Sequence, residues 1–319
     1  MTKNIAIGSA IGKIILIGEH SVVYGEPAIA IPFPSARIQT TIFKSNGDTV
    51  LDCFSYRGSL IDAPENLLGL SSVVKEIVNS FNKSLAGFDI KIHSSIPSER
   101  GMGSSAAVAA STIRALYNYF ERDLDNNILT RWVNFSEKIV HGNPSGIDTS
   151  IVVGEKSLYY IKGEPLEEFN SNLDGYLIVA DTGEKGMTKF AVSKVKKFIE
   201  ENPNKGTEII NLLGKLTIEA RISITENNAL ELGKIMNKAQ NLLSEIGVSN
   251  STIENLVRVS LDNGGLGSKL TGGGLGGCII TLCANKEDAI NISEALLNKG
   301  ANNTWIMNMN SREDGFNEG

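Results

Sequence analysis

The fold of this chain is decided by one stretch of its sequence, Pro97-Ser98-Glu99-Arg100-Gly101-Met102-Gly103-Ser104-Ser105-Ala106-Ala107-Val108. It follows the alternating segment 88–92, which predicts a half-buried strand, and it leads into an alanine-rich run that predicts a helix. Gly101 and Gly103 leave the backbone bare, so that an oxyanion can approach it closely. Ser104 and Ser105 supply hydroxyl groups and N-cap capacity where the helix begins. The stretch therefore favours a phosphate-binding loop at a helix N-terminus.

Two other interpretations of this loop stay open on its own residues. Residues 101–106 also fit the loose dinucleotide-binding pattern, and Glu121 lies near the offset expected for a ribose-binding acid. That pattern requires its first glycine directly at the end of the strand, whereas residues 97–100 intervene here. The third interpretation is a helix start with a purely structural role. The remainder of the chain has to decide among them.

Composition places the chain among globular proteins and excludes several classes of function. Its 319 residues suffice for two domains, and 41% hydrophobic and 21% charged residues are ordinary globular values. A net charge of −6 without a long basic block makes nucleic acid an unexpected partner. The cysteines Cys53, Cys278 and Cys283 lack metal-ligand spacing, which favours reduced thiols.

No membrane partner is expected from the sequence. Lys13 and Glu19 interrupt the first apolar stretch, which is therefore unlike a signal peptide. The longest uncharged run, residues 270–285, is too short to span a bilayer. We expect a cytoplasmic protein. The sequence does not report the oligomeric state and leaves a homodimer open.

The first apolar stretch predicts two buried strands, at residues 5–7 and 14–17, joined through residues 8–12. The pair Gly12-Lys13 invites comparison with the Walker phosphate loop, but Ile14 stands where that loop needs Ser or Thr. Lys13 is therefore a lysine at the edge of an apolar strand. Because Lys13 and Glu19 are six residues apart, a regular strand would place both side chains on one side.

Two further segments of the first half point to chemistry. A helix predicted at about residues 126–141 places Glu137 at the margin of its apolar stripe. A carboxylate there is costly unless a structural Arg or Lys, or a metal ion, neutralises it, and Mg²⁺ suits a site with few carboxylates and phosphate oxygens. The next segment, Asn143-Pro144-Ser145-Gly146-Ile147-Asp148, predicts a fixed turn that ends in an aspartate. Taken alone, Asp148 is typical of a helix cap, and His141 is typical of a structural histidine.

The second half predicts the split βαβ order of a ferredoxin-like domain with inserted helices. Its elements are a strand at 176–180, helices near 188–200, 205–225, 229–246 and 251–262, strands at 268–271 and 278–283, a helix near 286–298 and a strand at about 304–307. We expect the domain boundary near Leu173, giving domains at 1–172 and 173–319. The loop 272–277 has five glycines in six positions, which favours a ligand or a facing loop close to its backbone over a simple turn.

Three ordered motifs resemble those of the GHMP small-molecule kinases, and the resemblance covers essentially the whole chain. They are Gly12-Lys13-Ile14-Ile15-Leu16-Ile17-Gly18-Glu19-His20-Ser21-Val22-Val23-Tyr24-Gly25, the loop Gly101-Met102-Gly103-Ser104-Ser105-Ala106-Ala107, and Lys269-Leu270-Thr271-Gly272-Gly273-Gly274. The resemblance implies an α+β, two-domain fold: an N-terminal, ATP-binding α/β domain like ribosomal protein S5 and a C-terminal ferredoxin-like domain, with the active site in the cleft between them. It disposes of the dinucleotide-binding interpretation.

The resemblance also implies the site residues. ATP phosphates would be held by Pro97, Gly101, Met102, Gly103, Ser104, Ser105, Ala106, Gly272, Gly273 and Gly274. Ser105 and Glu137 resemble the family's Mg²⁺ ligands. Asp148 is similar to the family's catalytic base, and Lys13 to the lysine beside it. Glu19, His20 and Thr182 resemble residues of the substrate pocket.

His20 discriminates within the family, because galactokinases carry an Asp-Tyr pair shortly after this histidine and phosphomevalonate kinases tend to have Tyr in its place. The spacing resembles that of the short bacterial members that phosphorylate mevalonate on the route to isoprenoids, with His20 suited to the substrate's carboxylate. The chain departs from the family pattern at Ile11, usually Pro, at Met102, usually Leu, and at Gly273, frequently Ala. A kinase for phosphomevalonate or homoserine, and a non-catalytic paralogue, remain the alternatives.

Overall fold

A computed structural model of the chain describes residues 2–95, 103–142, 144 and 146–310. The predicted nucleotide-binding residues Pro97, Gly101 and Met102 lie outside the described residues. Within those residues the chain divides into two compact units: unit 1 comprises 2–13, 32–95 and 103–155, and unit 2 comprises 14–31 and 156–310. The domain boundary expected near Leu173 stays a prediction.

Unit 1 combines strands and helices around an alanine-rich helix. Its elements are β1 (Ile5–Ile17) and β2 (Ala28–Asp48), which also contribute residues to unit 2, then β3 (Val50–Cys53), β4 (Tyr56–Ser59), α1 (Leu68–Ser80), β5 (Ala86–Ser94), α2 (Ser104–Tyr119), α3 (Asn126–His141) and α4 (Ile147–Gly154). The strand order is β4-β3-β5-β2, and β1 also pairs with β2. Strand β5 is antiparallel to β2, with Ile38 opposite Ser94 and Lys44 opposite Phe88, and parallel to β3.

The prediction of two separate strands at residues 5–7 and 14–17 is wrong, because both segments belong to one continuous strand, β1. Ile5 and Ile7 are 62% and 50% exposed, so the first part of this strand buries only one face. Gly8 does not make a turn. A Cβ atom placed on it would lie 2.2 Å from the carbonyl oxygen of Ser111 and 2.3 Å from the amide nitrogen of Ala115, so glycine lets α2 pack directly against β1.

Helix α2 packs closely because its inward face carries small side chains. Ala106, Ala107, Ala109 and Ala110 are all buried. On the same helix, the hydroxyl groups of Ser111 and Thr112 lie 2.8 Å and 3.1 Å from the hydroxyl of Thr40 on β2, which satisfies these buried polar groups. The tight packing fixes the position of the helix N-terminus, where the phosphate-binding loop was expected.

Unit 2 contains an antiparallel sheet with helices, as the sequence predicts. Its elements are β6 (Ser157–Tyr160), β7 (Glu167–Phe169), β8 (Asn172–Asp181), α5 (Thr188–Glu201), α6 (Pro203–Thr225), α7 (Ala229–Glu245), α8 (Ser251–Asp262), β9 (Gly267–Thr271), β10 (Cys278–Cys283), α9 (Lys286–Asn298) and β11 (Asn303–Asn310). Four strands form a sheet in the order β11-β8-β10-β9. This antiparallel order confirms the ferredoxin-like prediction. Residues 28–30 of β2 pair with β6, and β6 pairs with β7.

Strand β9 lies at the edge of this sheet, and two amide side chains of α7 cover it. The backbone N–H of Ser268 donates to Asn237 Oδ1 and that of Leu270 to Gln240 Oε1, both at 2.9 Å. In return, Asn237 Nδ2 donates to the carbonyl of Leu266 at 3.1 Å. These bonds satisfy groups that an open edge would leave available for pairing with another chain. They also fix the backbone on both sides of Lys269.

The described residues give one finding about membranes and one about the cysteines. No helix among them is long and apolar enough to cross a membrane. Cys53, Cys278 and Cys283 are free thiols, and burial raises the pKa of Cys283 to about 11. A thiol with a raised pKa carries little thiolate at neutral pH and is a poor nucleophile.

The contact between Gly8 and α2 gives a stability prediction. Gly8→Ala should lower the free energy of unfolding by about 1–3 kcal/mol, because its methyl group would press on backbone atoms of α2. Ser9→Ala, on the exposed side of the same strand, should change it by less than about 0.5 kcal/mol. Urea denaturation of both variants measures the difference. Equal stability of the two variants would contradict the close packing at Gly8.

Candidate active site

The predicted catalytic residues of unit 1 form an ion pair. Lys13 Nζ, on β1, lies 2.9 Å from Asp148 Oδ1, and the two side chains are 10% and 34% exposed. Asp148 occupies the first turn of α4, which follows Gly146 in a left-handed conformation. The unpaired N–H groups of that turn favour a negative charge there. Residues 135 positions apart in the chain are thus brought together in the arrangement that the family motifs implied.

Helix α2 begins beside this pair. Its N-cap residue is Gly103, with φ of +67° and no side-chain cap bond, so the expected capping by Ser104 or Ser105 is wrong: both occupy the first turn instead. A Cβ atom on Gly103 would lie 2.7 Å from Cγ of Lys13. Glycine is therefore needed here for the passage of the lysine as well as for the backbone conformation. Among the described residues, no side chain caps the first N–H groups of α2, which leaves them able to bind an anion.

Glu137 is a buried carboxylate on α3, only 2% exposed. It accepts a hydrogen bond from the hydroxyl of Ser105, and His141 Nε2 lies 3.7 Å from its Oε2. Its Oε1 has no hydrogen-bond partner among the described residues. Burial raises the pKa of Glu137; the bond from Ser105 opposes this shift, and the nearby charge of Asp148 adds to it. The arrangement leaves a buried, incompletely compensated carboxylate.

Such a carboxylate fits a divalent cation better than a structural salt bridge. Ser105 and Glu137, the predicted Mg²⁺ ligands, are in hydrogen-bond contact, and Oε1 of Glu137 still lacks a partner in the described part of the chain. The described residues contain no group of three or more His, Cys, Asp or Glu side chains placed as a metal site. A site with two protein ligands suits Mg²⁺, because this ion usually keeps waters and takes phosphate oxygens.

A cavity of about 200 Å³ adjoins these side chains within unit 1. It is lined by Glu137, His141, Pro144, Gly146, Asp148 and Thr149. The hydroxyl of Thr149 is buried and lacks a hydrogen-bond partner among the described residues. Two polar atoms without partners, Glu137 Oε1 and Thr149 Oγ1, thus belong to residues that line one polar cavity. Sites that bind small charged molecules commonly contain such groups.

In unit 2, Glu19 makes a buried ion pair with Lys269, both almost completely excluded from solvent. The expectation that Lys13 and Glu19 face one side of a strand is wrong, because β1 ends at Ile17 and Gly18, with φ of +103°, turns the chain. Burial raises the pKa of Glu19, and the Lys269 ammonium opposes that shift. Oε2 of Glu19 has no hydrogen-bond partner among the described residues.

His20 follows Glu19 in an unusual conformation, with φ of +62°. Its Nε2 lies 2.9 Å from the carbonyl oxygen of Gly273. Since a carbonyl only accepts hydrogen bonds, Nε2 must carry a proton. Burial lowers the pKa of His20, which favours the neutral imidazole with Nδ1 as an acceptor. A carboxylate could bind Nδ1 only after a second proton is added.

The glycine-rich loop 272–277 faces other segments of unit 2. A Cβ atom on Gly273 would lie 2.5 Å from Thr188 Oγ1, one on Gly274 2.2 Å from the carbonyl oxygen of Val248, and one on Gly276 2.4 Å from that of Lys185. Gly272, Gly274 and Gly276 also have φ values of +80°, +77° and +126°. The prediction that something passes close to this backbone is confirmed, and at these positions it is the chain itself. Closure of the loop over phosphates stays a prediction.

Thr182, predicted to line the substrate pocket, is buried just after β8. Its hydroxyl donates to the carbonyl of Gly277 at 2.7 Å and accepts from the backbone N–H of Glu184 at 3.2 Å. These bonds tie the end of β8 to the end of the glycine-rich loop. The side chain therefore has a structural role in this unit, and its role with substrate stays a prediction.

Comparison with known proteins agrees with this geometry. Residues 70–155 match the GHMP kinases N terminal domain and residues 220–302 match the GHMP kinases C terminal domain. A curated mevalonate kinase of Thermococcus sibiricus is 34% identical over 308 residues, covering 89% of this chain and 91% of that protein. The chain belongs to the mevalonate kinase family. The resemblance to GHMP kinases and the two-domain fold predicted from the motifs are thereby confirmed.

Two solved structures extend the comparison to the fold. The crystal structure of mevalonate kinase from methicillin-resistant Staphylococcus aureus superimposes with a TM-score of 0.77 at 33% identity, covering 97% of this chain and all of that one. The Methanococcus jannaschii mevalonate kinase gives a TM-score of 0.77 at 26% identity, covering 95% and 96%. Both cover nearly the full length of the chain.

Sequence reasoning missed several residues at these sites. The sequence predicts no role for Lys269 within its motif; a charged residue inside a short strand followed by glycines is its only signal. Thr149 was not singled out, because a threonine in a helix carries no signal of its own. His141 was interpreted as structural, and it lies on the cavity beside Glu137.

The burial of Glu137 can be tested through the pH dependence of the free energy of unfolding. A raised pKa means that the folded state binds this proton more tightly than the unfolded state, so the contribution to stability is present below about pH 4.5 and is lost as the pH rises through the folded pKa. In Mg²⁺-free buffer at pH 8, the free energy of unfolding of Glu137→Gln should therefore exceed that of the wild type by about 1 kcal/mol. The difference should be smaller at pH 4.5. Urea denaturation at both pH values measures this.

The matched control is Glu76→Gln, which removes an exposed glutamate from α1. It should show no comparable gain in stability at pH 8. If Glu137→Gln behaves like Glu76→Gln at both pH values, Glu137 is not an uncompensated buried carboxylate.

Proposed function

We propose that the protein transfers the γ-phosphoryl group of ATP to the primary hydroxyl of mevalonate, giving 5-phosphomevalonate and ADP, on the mevalonate route to isoprenoids. The observation that carries this proposal is the Lys13–Asp148 ion pair beside the N-terminus of α2. It occurs in a chain that is 34% identical to a mevalonate kinase over 308 residues.

Phosphoryl transfer requires mainly positioning and charge stabilisation, and the ion pair can supply both. In this proposal Asp148 orients the attacking hydroxyl and accepts its proton as the oxygen bonds to phosphorus. Lys13, 2.9 Å from Asp148, favours the ionised carboxylate and stabilises negative charge on the transferring group. Both side chains are more than half buried, which strengthens these interactions.

ATP and Mg²⁺ fit the remaining groups of unit 1. We assign the phosphates to the backbone of residues 101–106, including the first N–H groups of α2. Ser105 and Glu137 would hold Mg²⁺, which when bound neutralises phosphate charge. The buried Oε1 of Glu137, without a partner in the described residues, supports this assignment. Gly272, Gly273 and Gly274 are proposed to contact the nucleotide from the C-terminal domain.

Substrate binding is assigned to Glu19, His20 and Thr182. Glu19 has a carboxylate oxygen without a donor among the described residues, so it suits a substrate hydroxyl. His20 can bind the mevalonate carboxylate once its second nitrogen is protonated, which a nearby anion favours. Thr182 can act mainly by holding the chain segments around the pocket, because its hydroxyl already bonds to Gly277.

The assignments apply to a monomer or a homodimer alike. We place the boundary between the ATP-binding domain, residues 1–172, and the C-terminal domain, residues 173–319, in the interval between the two matched regions, 70–155 and 220–302.

A substrate panel tests the proposed function. Coupled ADP release should show turnover with mevalonate, and its kcat/KM should exceed those for phosphomevalonate and homoserine by about a hundredfold or more. The physical reason is that a phosphate group, or an amine in place of a hydroxyl, would leave buried polar groups of the site mispaired. Preference for the phosphorylated substrate would overturn the choice of mevalonate, and absence of turnover with all three would favour a non-catalytic paralogue.

Removing either member of the ion pair should separate catalysis from nucleotide binding. Lys13→Met and Asp148→Ala should each lower kcat by about a thousandfold, because each loses charge stabilisation or proton acceptance in the transition state. The Kd for ATP should stay unchanged. The double variant should be little worse than either single variant, since the two side chains act as a unit.

The control for charge removal is Lys91→Met, an exposed lysine on β5. It should retain the wild-type kcat. Retention of wild-type kcat by Asp148→Ala would instead show that this carboxylate is not part of the reaction.

A further inference from the structure

We propose that Lys269 is a positioning residue for substrate binding: through its buried ion pair it keeps Glu19 ionised and fixed, so that Glu19 can accept a hydrogen bond from a hydroxyl of the substrate. This inference rests on the proposed function of Glu19. Strand β9, which leads into the glycine-rich loop, would thus also take part in recognising the phosphoryl acceptor.

Lys269 is completely buried in unit 2, with no solvent exposure. Its Nζ contacts Glu19 Oε1 and donates to the carbonyl of Leu270 at 2.7 Å. Burying an ammonium group is costly unless it is paired and hydrogen-bonded. A well-packed apolar pair of similar volume commonly stabilises a fold as well as a buried ion pair does. Stability alone is therefore a weak explanation for this pair.

The backbone that carries Lys269 is held firmly. Gln240 accepts from the N–H of Leu270 at 2.9 Å, which covers the outer edge of β9 next to the lysine. The hydroxyl of Thr271 donates to the carbonyl of Ile15 at 2.7 Å, and His20 Nε2 contacts the carbonyl of Gly273. The segment that contains Glu19 is thus joined to β9 and its loop on both sides of the ion pair. These bonds fix the backbone positions of both Lys269 and Glu19.

The two carboxylate oxygens of Glu19 differ in their partners. Oε1 contacts Lys269, whereas Oε2 has no hydrogen-bond partner among the described residues. A buried acceptor without a donor is costly, so a substrate hydroxyl that donates to it gains binding free energy. Burial raises the pKa of Glu19 and thus favours the neutral acid; the Lys269 ammonium is the first opposing influence. Loss of this ammonium would favour the neutral acid further, and a neutral carboxyl is a weaker hydrogen-bond acceptor than a carboxylate.

A purely structural ion pair makes a different prediction. If Lys269 served only stability, its loss would weaken the fold and leave the affinity for mevalonate unchanged in the protein that remains folded. If it maintains the charge of Glu19, its loss has the same effect on mevalonate as the loss of that charge itself. The two effects can be separated by combining the substitutions.

The experiment compares four full-length proteins: the wild type, Glu19→Gln, Lys269→Met and the double variant. The KM for mevalonate and for ATP, kcat, and the Kd for mevalonate by calorimetry without ATP are measured. Each single substitution should raise the KM and Kd for mevalonate by about tenfold to a hundredfold, the range for a lost hydrogen bond to a charged group. The double variant should bind mevalonate no more weakly than the single variants, and the KM for ATP should stay unchanged.

Unfolding measurements keep the test decisive if Lys269→Met folds poorly. That substitution leaves a buried carboxylate without its cation, whereas the double variant removes both charges. We expect the double variant to have a higher Tm than Lys269→Met, and the same affinity for mevalonate as Glu19→Gln. Thr281→Val is the matched control, because it removes buried hydroxyl bonds to Ser268 and Ser260 from the same sheet without touching the charge or the anchoring of Glu19. It should lower the Tm and retain the wild-type KM for mevalonate.

Three results would overturn the inference. The first is a wild-type KM for mevalonate in Lys269→Met. The second is a rise in this KM in the double variant that equals the product of the two single rises. The third is a rise in this KM for Thr281→Val equal to that of Lys269→Met. A wild-type mevalonate KM in Glu19→Gln would instead overturn the proposed role of Glu19 itself. The two failures are therefore distinguishable.

Discussion

The approach of helix α2 to strand β1 sets two parts of the candidate site at once. At one end of the contact, Gly8 lets the backbone of α2 lie directly against the strand. At the other end, Gly103 begins the helix where the aliphatic part of Lys13 passes. The helix N-terminus and the lysine are therefore placed by the same contact, and a shift of one would move the other. Asp148 is in turn fixed by its ion pair with Lys13.

The two buried glutamates illustrate how an environment assigns a task to a carboxylate. Glu19 has a resident cation, Lys269, which favours its ionised form whether or not a ligand is bound. Glu137 has a hydrogen bond from Ser105 and weaker influences from His141 and Lys13, but no cation of its own in direct contact, so burial still raises its pKa. The first carboxylate suits a neutral hydrogen-bond donor such as a hydroxyl. The second suits a positively charged ligand that arrives with the nucleotide.

Regular elements with strong local signals could be predicted from the sequence. Helices α3, α8 and α9 and strand β10 have the predicted bounds, and each of the three helices follows an Asp or Asn whose side chain caps it: Asp125, Asn250 and Asn285. The short strands β3, β4, β6 and β7 were missed, because four or fewer residues carry too little pattern. The ion pair between Lys13 and Asp148 was accessible through the family motifs. The role of Gly8 and the pairing of Lys269 depend on contacts between distant segments, which periodicity does not report.

The glycine-rich loop also constrains how this chain can change over generations. Alanine is frequent in the family at the position of Gly273, but here a methyl group would meet the side chain and backbone of Thr188. A lineage that acquires the alanine must first draw the start of α5 away from the loop, or exchange Thr188 for a residue that yields. Substitutions at these two positions, 85 residues apart, are therefore coupled. The order in which they occur affects the stability of each intermediate protein.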